Sequence, residues 1–207
     1  KNIPYTSNIL GNNLSVSCGL AFAQKMNEQG TVFVIIGDGA IEEGSFYESI
    51  LFMKSHHLSS IVIIENNEWS LATQINERRS AIDISKLVSG LCIEYVCLEG
   101  NDVFSYIEIL ENIRSKSNKE QVPVCVEVKL TSLGHWRMEK EGYPDGKFIN
   151  YHSGPAPTVD IKKSLVIEQS NKDPLYSLLN PIPQVEINEI VNEFFSNLPE
   201  ELGNELY

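Results

Sequence analysis

At 207 residues, 42% hydrophobic and 21% charged, the chain has an ordinary globular composition and enough length for one sizeable core. A formal net charge of −12 speaks against a nucleic-acid surface, because phosphate neutralisation needs clustered lysine and arginine. No apolar run reaches membrane-spanning length and no signal peptide stands out, so a cytoplasmic protein with no membrane contact is expected.

Residues 1–13 are polar and turn-rich and end in Gly11-Asn12-Asn13. The stretch from Leu14 to Asn27 predicts a helix whose small residues, Ser15, Ser17, Gly19, Ala21 and Ala23, allow close approach of a neighbour. Gly30 is placed to stop it. An apolar run, Val32 to Ile36, then predicts a strand covered on both faces and delivers Gly37-Asp38-Gly39. From Ser45 to His57 a helix is expected, with Phe46, Ile50 and Met53 on one stripe and Tyr47, Leu51 and Leu58 beside it. A second buried strand, Ile61 to Ile64, delivers Glu65-Asn66-Asn67. Strand, helix and strand at this spacing form a parallel crossover.

A second unit follows, with a helix over Ile82–Ser89 and a strand in IEYVCLEG. The next helix starts at Val103, is capped by Asn101 or Asp102, and has Val103, Tyr106, Ile107 and Leu110 on one face. VPVCVEVKLT closes the unit as a strand. The fold class expected is α/β, a doubly wound and mostly parallel sheet. Residues 132–157 read as a long Gly/Pro loop, and loops of that length tend to be functional. Short helices are expected at Asp160–Gln169, Leu175–Leu179 and Val185–Ser196. This divides the chain into a domain over residues 1–157 and a C-terminal helical and loop extension over 158–207.

In an open α/β sheet, ligands lie beyond the carboxyl ends of the strands, where Asp38 and Asn67 are both expected. Mg²⁺ takes oxygen ligands and commonly shares its site with phosphates. Asp38 offers a carboxylate and Asn67 an amide oxygen, while Gly37 and Gly39 let the backbone approach a diphosphate. Ordinary turns are the bland alternative, but two such ends joined by one crossover favour a binding role. A dinucleotide fingerprint is a poor fit, since Glu42 stands where its third glycine belongs. The four cysteines, Cys18, Cys92, Cys97 and Cys125, lack metal-ligand spacing and are expected to be buried small hydrophobes. His56 and His57 suit a helix end, and Arg78 and Arg79 are expected to be solvated charges.

Gly37-Asp38-Gly39, with Asn67 twenty-nine positions after Asp38, resembles the thiamine diphosphate motif shared by transketolases and the alpha subunits of 2-oxo acid dehydrogenases. The similarity runs from about Ser7 to Thr158. SNILGNNLSVSCGLAFAQK, EEGSFYES and NYHSGPAPT lean towards transketolase, whereas ENNEWSLAT, LEGNDV and Leu133-Gly134-His135 lean towards the dehydrogenase alpha subunit. The resemblance implies thiamine diphosphate and Mg²⁺ as cofactors. Asp38, Asn67 and the Trp69 carbonyl would be the metal ligands, with Gly37, Gly39 and Ala40 along the diphosphate. It further implies His135 near the cofactor phosphate and Glu43, with Glu48, at a subunit interface linking two active sites. His135 and Glu43 are thus the candidate catalytic residues.

Only the diphosphate-binding half of such an enzyme is represented. The resemblance implies that the glutamate activating the cofactor's aminopyrimidine comes from a separate pyrimidine-binding subunit, since 207 residues are expected to be too few for a second α/β unit of similar size. It also implies that the assembly is a heterotetramer with two interfacial sites. The expected activity is transketolase-like ketol transfer from a ketose, with an alpha-type 2-oxo acid dehydrogenase or decarboxylase subunit as the alternative. A non-catalytic regulatory subunit and a nicotinamide-dependent oxidoreductase are the readings from other classes.

Overall fold

The computed structural model describes residues 3–27, 30–150, 166 and 168–197. In chain order its elements begin with α1 (Asn12–Met26), β1 (Val32–Gly37), a 3₁₀ turn (Asp38–Glu42), α2 (Gly44–Ser55) and β2 (Ser60–Asn66). A small hairpin of β3 (Trp69–Ser70) and β4 (Thr73–Gln74) leads into α3 (Ile75–Arg78) and α4 (Ile84–Ser89). Then come β5 (Glu94–Leu98), α5 (Val103–Glu120), β6 (Pro123–Lys129), β7 (His135–Lys140) and β8 (Tyr143–Asn150). α6 (Pro174–Leu178) and α7 (Gln184–Ser196) follow. The chain divides into two compact units, Lys1–Thr158 and Val159–Tyr207.

The first unit is built on a four-stranded parallel sheet in the order β1-β2-β6-β5. Alternation along the strands sends Val34, Ile36, Val62, Ile64 and Cys125 to one face, where they pack with Leu14 and Cys18 of α1, Phe46, Ile50 and Met53 of α2, and Val88 of α4. Ile61, Val124, Val126 and Leu98 point the other way, onto Ile113 of α5. Helices on both faces make the sheet doubly wound, as the sequence predicts.

Several expectations need correction. β1 is an edge strand and is covered on one face only: Phe33 and Ile35 are 43% and 53% exposed, because α5 lies over β2 and β6. On α5 the sheet-facing row is Tyr106, Leu110 and Ile113, while Val103 and Ile107 are exposed. Its N-cap is Asp102, whose side chain accepts from Ser105 N–H. Tyr47 and Leu51 of α2 are exposed, although Phe46, Ile50, Met53 and Leu58 are buried as expected. Only Cys18 and Cys125 are buried, and burial pushes the Cys125 thiol up to about 12. Cys92 lies exposed in the left-handed turn after α4 (φ 54°), and Cys97 lies exposed on edge strand β5.

The Gly/Pro segment is not one loop. Residues 135–150 fold back as the antiparallel hairpin β7–β8, with Gly142 and Gly146 at positive φ. The remainder, 151–157, lies outside the described residues. Lys147 anchors the hairpin: only 7% exposed, its ammonium donates to Glu77 Oε1 and Oε2 (2.6 and 2.9 Å) and to the Ala72 carbonyl (3.0 Å). That ion pair and the Gln74 N–H hold the Glu77 carboxyl below the usual carboxylate range. Lys147→Met is expected to cost about 1–3 kcal/mol, since Glu77 and the Ala72 carbonyl each lose a partner. Urea unfolding measures the loss, and faster amide exchange over β8 locates it; unchanged exchange there would refute the anchoring role.

In the second unit, α6 is capped by Asp173, which accepts from Leu175 N–H at 2.9 Å, and Pro174 fits its first turn. The helix expected over Asp160–Gln169 falls largely outside the described residues, and Glu168 and Gln169 form a bend.

Candidate cofactor site at the carboxyl edge of the sheet

Parallel register places the two motif ends side by side. Gly37 pairs with Glu65, and Asn66 pairs with Lys129, so Asp38 and Asn67 both leave the sheet at its carboxyl edge. Asp38 is 2% exposed. Arg78 Nη2 lies 3.3 Å from Asp38 Oδ2 and 2.9 Å from Glu42 Oε1, and its Nη1 donates to the Thr73 carbonyl at 3.1 Å. Arg79 Nε reaches the same Glu42 oxygen at 2.9 Å. Burial alone would raise the Glu42 carboxyl, but the two guanidinium groups outweigh it and hold that group below the usual range. The arginines are therefore half-buried ion-pair partners rather than solvated charges. Their spacing in INERRSAI carries no sign of this, because the pairing depends on the short helix α3.

The second end is a tight turn. Glu68 takes a left-handed backbone (φ 64°), and Asn67 Oδ1 accepts from Trp69 N–H at 2.9 Å. Asn67 Nδ2 donates to Ser132 Oγ at 3.3 Å. The turn continues into β3, and Ser70 packs against the 3₁₀ turn: a Cβ on Gly39 would stand 3.1 Å from Ser70 Oγ. Gly39 thus serves the junction between the two ends. Gly37 is different. It has φ −82° and ψ 165°, and an added Cβ there would meet nothing within 4 Å. Neither strain nor a protein neighbour calls for glycine at 37, which leaves open space over the sheet edge. Ala40 is buried in the core cluster.

His135 opens β7 and is exposed; its ring stacks on Phe148 with centroids 4.8 Å apart, and Phe148 lies 6.1 Å from the buried Trp69. The hairpin thereby brings His135 to the Asn67–Trp69 side of the site. Glu43 is the N-cap of α2 and is exposed, against Gly11 at the start of α1. Lying outside the helix, it shares no helical face with Glu48. His56 is the C-cap of α2, with its ring against Phe22 and Phe52.

One buried carboxylate behind the site, with its two half-buried partners, escapes a reading based on motifs. Glu127 of β6 is 6% exposed and accepts from Asn66 Nδ2 at 2.7 Å and from the Tyr95 hydroxyl. Burial, and then the Glu127 carboxyl, push the Tyr95 phenol above its usual range. One acidic residue inside the apolar strand PVCVEV was the available signal. Among the described residues no cluster of three or more His, Cys, Asp or Glu could hold a metal. The donors at the edge are instead one carboxylate, one amide oxygen and backbone carbonyls, a set suited to a hard cation that also binds phosphate.

A family model for the dehydrogenase E1 component matches residues 1–143. The chain belongs to the dehydrogenase E1 component family. It is 28% identical over 204 residues to the pyruvate dehydrogenase E1 component subunit alpha of Rickettsia felis, across 96% of this chain and 61% of that protein. It is 27% identical over 136 residues to the mitochondrial 2-oxoisovalerate dehydrogenase subunit alpha of Dictyostelium discoideum, across 65% of this chain and 31% of the relative. The chain thus spans about three fifths, or less, of the length of these relatives. An X-ray structure from Mycobacterium smegmatis, named as a proposed thiamin diphosphate-dependent enzyme, overlays with TM-score 0.44 and 18% identity, over 57% of this chain and 22% of that one. On the family model, the resemblance to the diphosphate-binding half of a thiamine diphosphate-dependent enzyme stands, on the dehydrogenase side. The transketolase-like reading gains no specific support from these E1 relatives, which favour the alternative. Among the described residues, no helix of this E1 family member is long and apolar enough to cross a membrane.

Proposed function

We propose that this chain is the diphosphate-binding, alpha-type part of a thiamine diphosphate-dependent 2-oxo acid dehydrogenase, acting with a beta-type partner in a heterotetramer. The carrying observation is the juxtaposition of buried Asp38 with the Asn67–Trp69 turn at one sheet edge of an E1 family chain. The donor chemistry and the open space over Gly37 fit a Mg²⁺–diphosphate group. Asp38, the Asn67 amide oxygen and the Trp69 carbonyl would hold the metal, with Gly37, Gly39 and the Ala40 backbone along the diphosphate. When bound, thiamine diphosphate supplies an electron sink for C–C cleavage beside the substrate carbonyl.

The chain's own residues bind and orient. Arg78 balances the buried Asp38 charge, and the Trp69–Phe148 contact steadies one wall. His135 is the proposed donor to a cofactor phosphate, and exposed Glu43 is proposed to face the partner subunit. The partner would supply the activating glutamate and the pyrimidine pocket.

The test is to co-purify the partner and assay the pair with thiamine diphosphate and Mg²⁺. Pyruvate and branched-chain 2-oxo acids with an artificial electron acceptor are compared with ketose phosphates and an aldose acceptor. Acceptor reduction driven by a 2-oxo acid, and lost without the partner, is the expected result. Ketol transfer alone would return the transketolase reading, and turnover by the chain alone would contradict the half-site.

A further inference from the structure

The pair of buried Glu127 and half-buried Asn66 is not used by any role described so far, yet it lies directly behind the proposed metal turn. Burying a carboxyl group is unfavourable unless hydrogen bonds compensate, and an apolar residue would suit the middle of β6 better. Glu127 has both its oxygens occupied, by Asn66 Nδ2 at 2.7 Å and by the Tyr95 hydroxyl. In register it sits level with Ile64 and Cys97, near the carboxyl end of the sheet.

Asn66 carries that contact outward. Its carbonyl accepts from Leu130 N–H at 3.0 Å, and its Oδ1 accepts from Glu68 N–H at 3.1 Å. Every polar handle named here holds the residue on either side of Asn67. Glu68 is the left-handed position that turns the chain, so that Asn67 Oδ1 and Trp69 come together at 2.9 Å. A rigid amide spoke thus connects the sheet interior to the turn.

We propose that Glu127 is a positioning residue of the cation site: through Asn66 it fixes the Asn67–Trp69 backbone that presents oxygens to the metal. This rests on the metal-site reading of the preceding section. Groups that hold metal ligands from behind commonly contribute tenfold or more to affinity without touching the ion.

The test uses the chain co-purified with its partner subunit, with Mn²⁺ as the paramagnetic probe in the presence of thiamine diphosphate and free Mn²⁺ read by electron paramagnetic resonance. Glu127→Leu is expected to weaken Mn²⁺ binding about tenfold, and Glu127→Gln to restore it to within about threefold, since its amide oxygen can still accept from Asn66. Asn66→Ala breaks the same link from the turn side and keeps the experiment decisive if Glu127→Leu does not fold. It should cost a similar factor, and adding Glu127→Leu to it should cost little more. Unfolding midpoints measured without metal separate this effect from general stability. Wild-type binding, loss in Asp38→Ala and wild-type affinity in both Asn66→Ala and Glu127→Leu would overturn the positioning role alone. An absence of Mn²⁺ binding to the wild type would overturn the metal site and this inference together.

Discussion

Asp38→Ala is expected to abolish Mg²⁺-dependent binding of thiamine diphosphate, weakening it by a factor on the order of 100 or more. Asp38 is the buried carboxylate that follows β1 at the sheet edge, and the other buried carboxylate nearby, Glu127, is taken up by Asn66 and the Tyr95 hydroxyl, so it does not replace that charge. Glu42 is already bound by Arg78 and Arg79. The fold should tolerate the change, because Arg78 keeps Glu42 Oε1 and the Thr73 carbonyl as acceptors. Isothermal calorimetry with the cofactor, with and without Mg²⁺, makes the measurement. Binding that persists at wild-type affinity would remove Asp38 from the ligand set.

Phe46→Ala is expected to be the most damaging change to the fold itself. Phe46 is 1% exposed on α2, within the cluster that includes Leu14, Ile41 and Ile50. Deleting a buried phenyl group removes transfer energy and leaves a cavity, at a cost of about 3–5 kcal/mol. Domains of this kind are stable by roughly 5–15 kcal/mol, so a third or more of that can disappear. Because Phe46 N–H also bonds the Glu43 carbonyl where the Asp38 turn meets α2, slackening here should reach the site. Urea unfolding gives the number, with Tyr47→Ala as the exposed neighbour expected to cost less than about 1 kcal/mol. Equal effects at the two positions would mean that α2 presents a different face.

The features legible in the sequence were those set by local pattern. Two apolar runs, each ending in glycine or asparagine, specified two parallel strands and the edge at which Asp38 and Asn67 meet. The burial of Phe46, Ile50 and Met53 followed from helical spacing. What escaped depended on position in the finished sheet. Val32 to Ile36 reads as a doubly covered strand, yet Phe33 and Ile35 are bare because α5 stops over β2; nothing local to β1 records where α5 will lie. The β7–β8 hairpin was hidden by its glycines, which serve turns within a paired ribbon rather than an open loop. Arg78 and Glu127 find their partners across 40 and 61 intervening steps of sequence, counting from Asp38 and from Asn66. Such pairings have no periodicity to betray them.

On the proposed Mg²⁺–diphosphate reading, Arg78 would also have a kinetic role. With its guanidinium 3.3 Å from Asp38, the carboxylate already has a counter-charge before anything binds. A bare divalent ion arriving there meets fixed positive charge and a ligand that must first be released. A cation that arrives already complexed to diphosphate brings an anion for the same guanidinium, and the exchange conserves charge. Under the proposed function, the sheet edge would favour preassembled metal–diphosphate over either component alone, and one ion pair would set the order of loading.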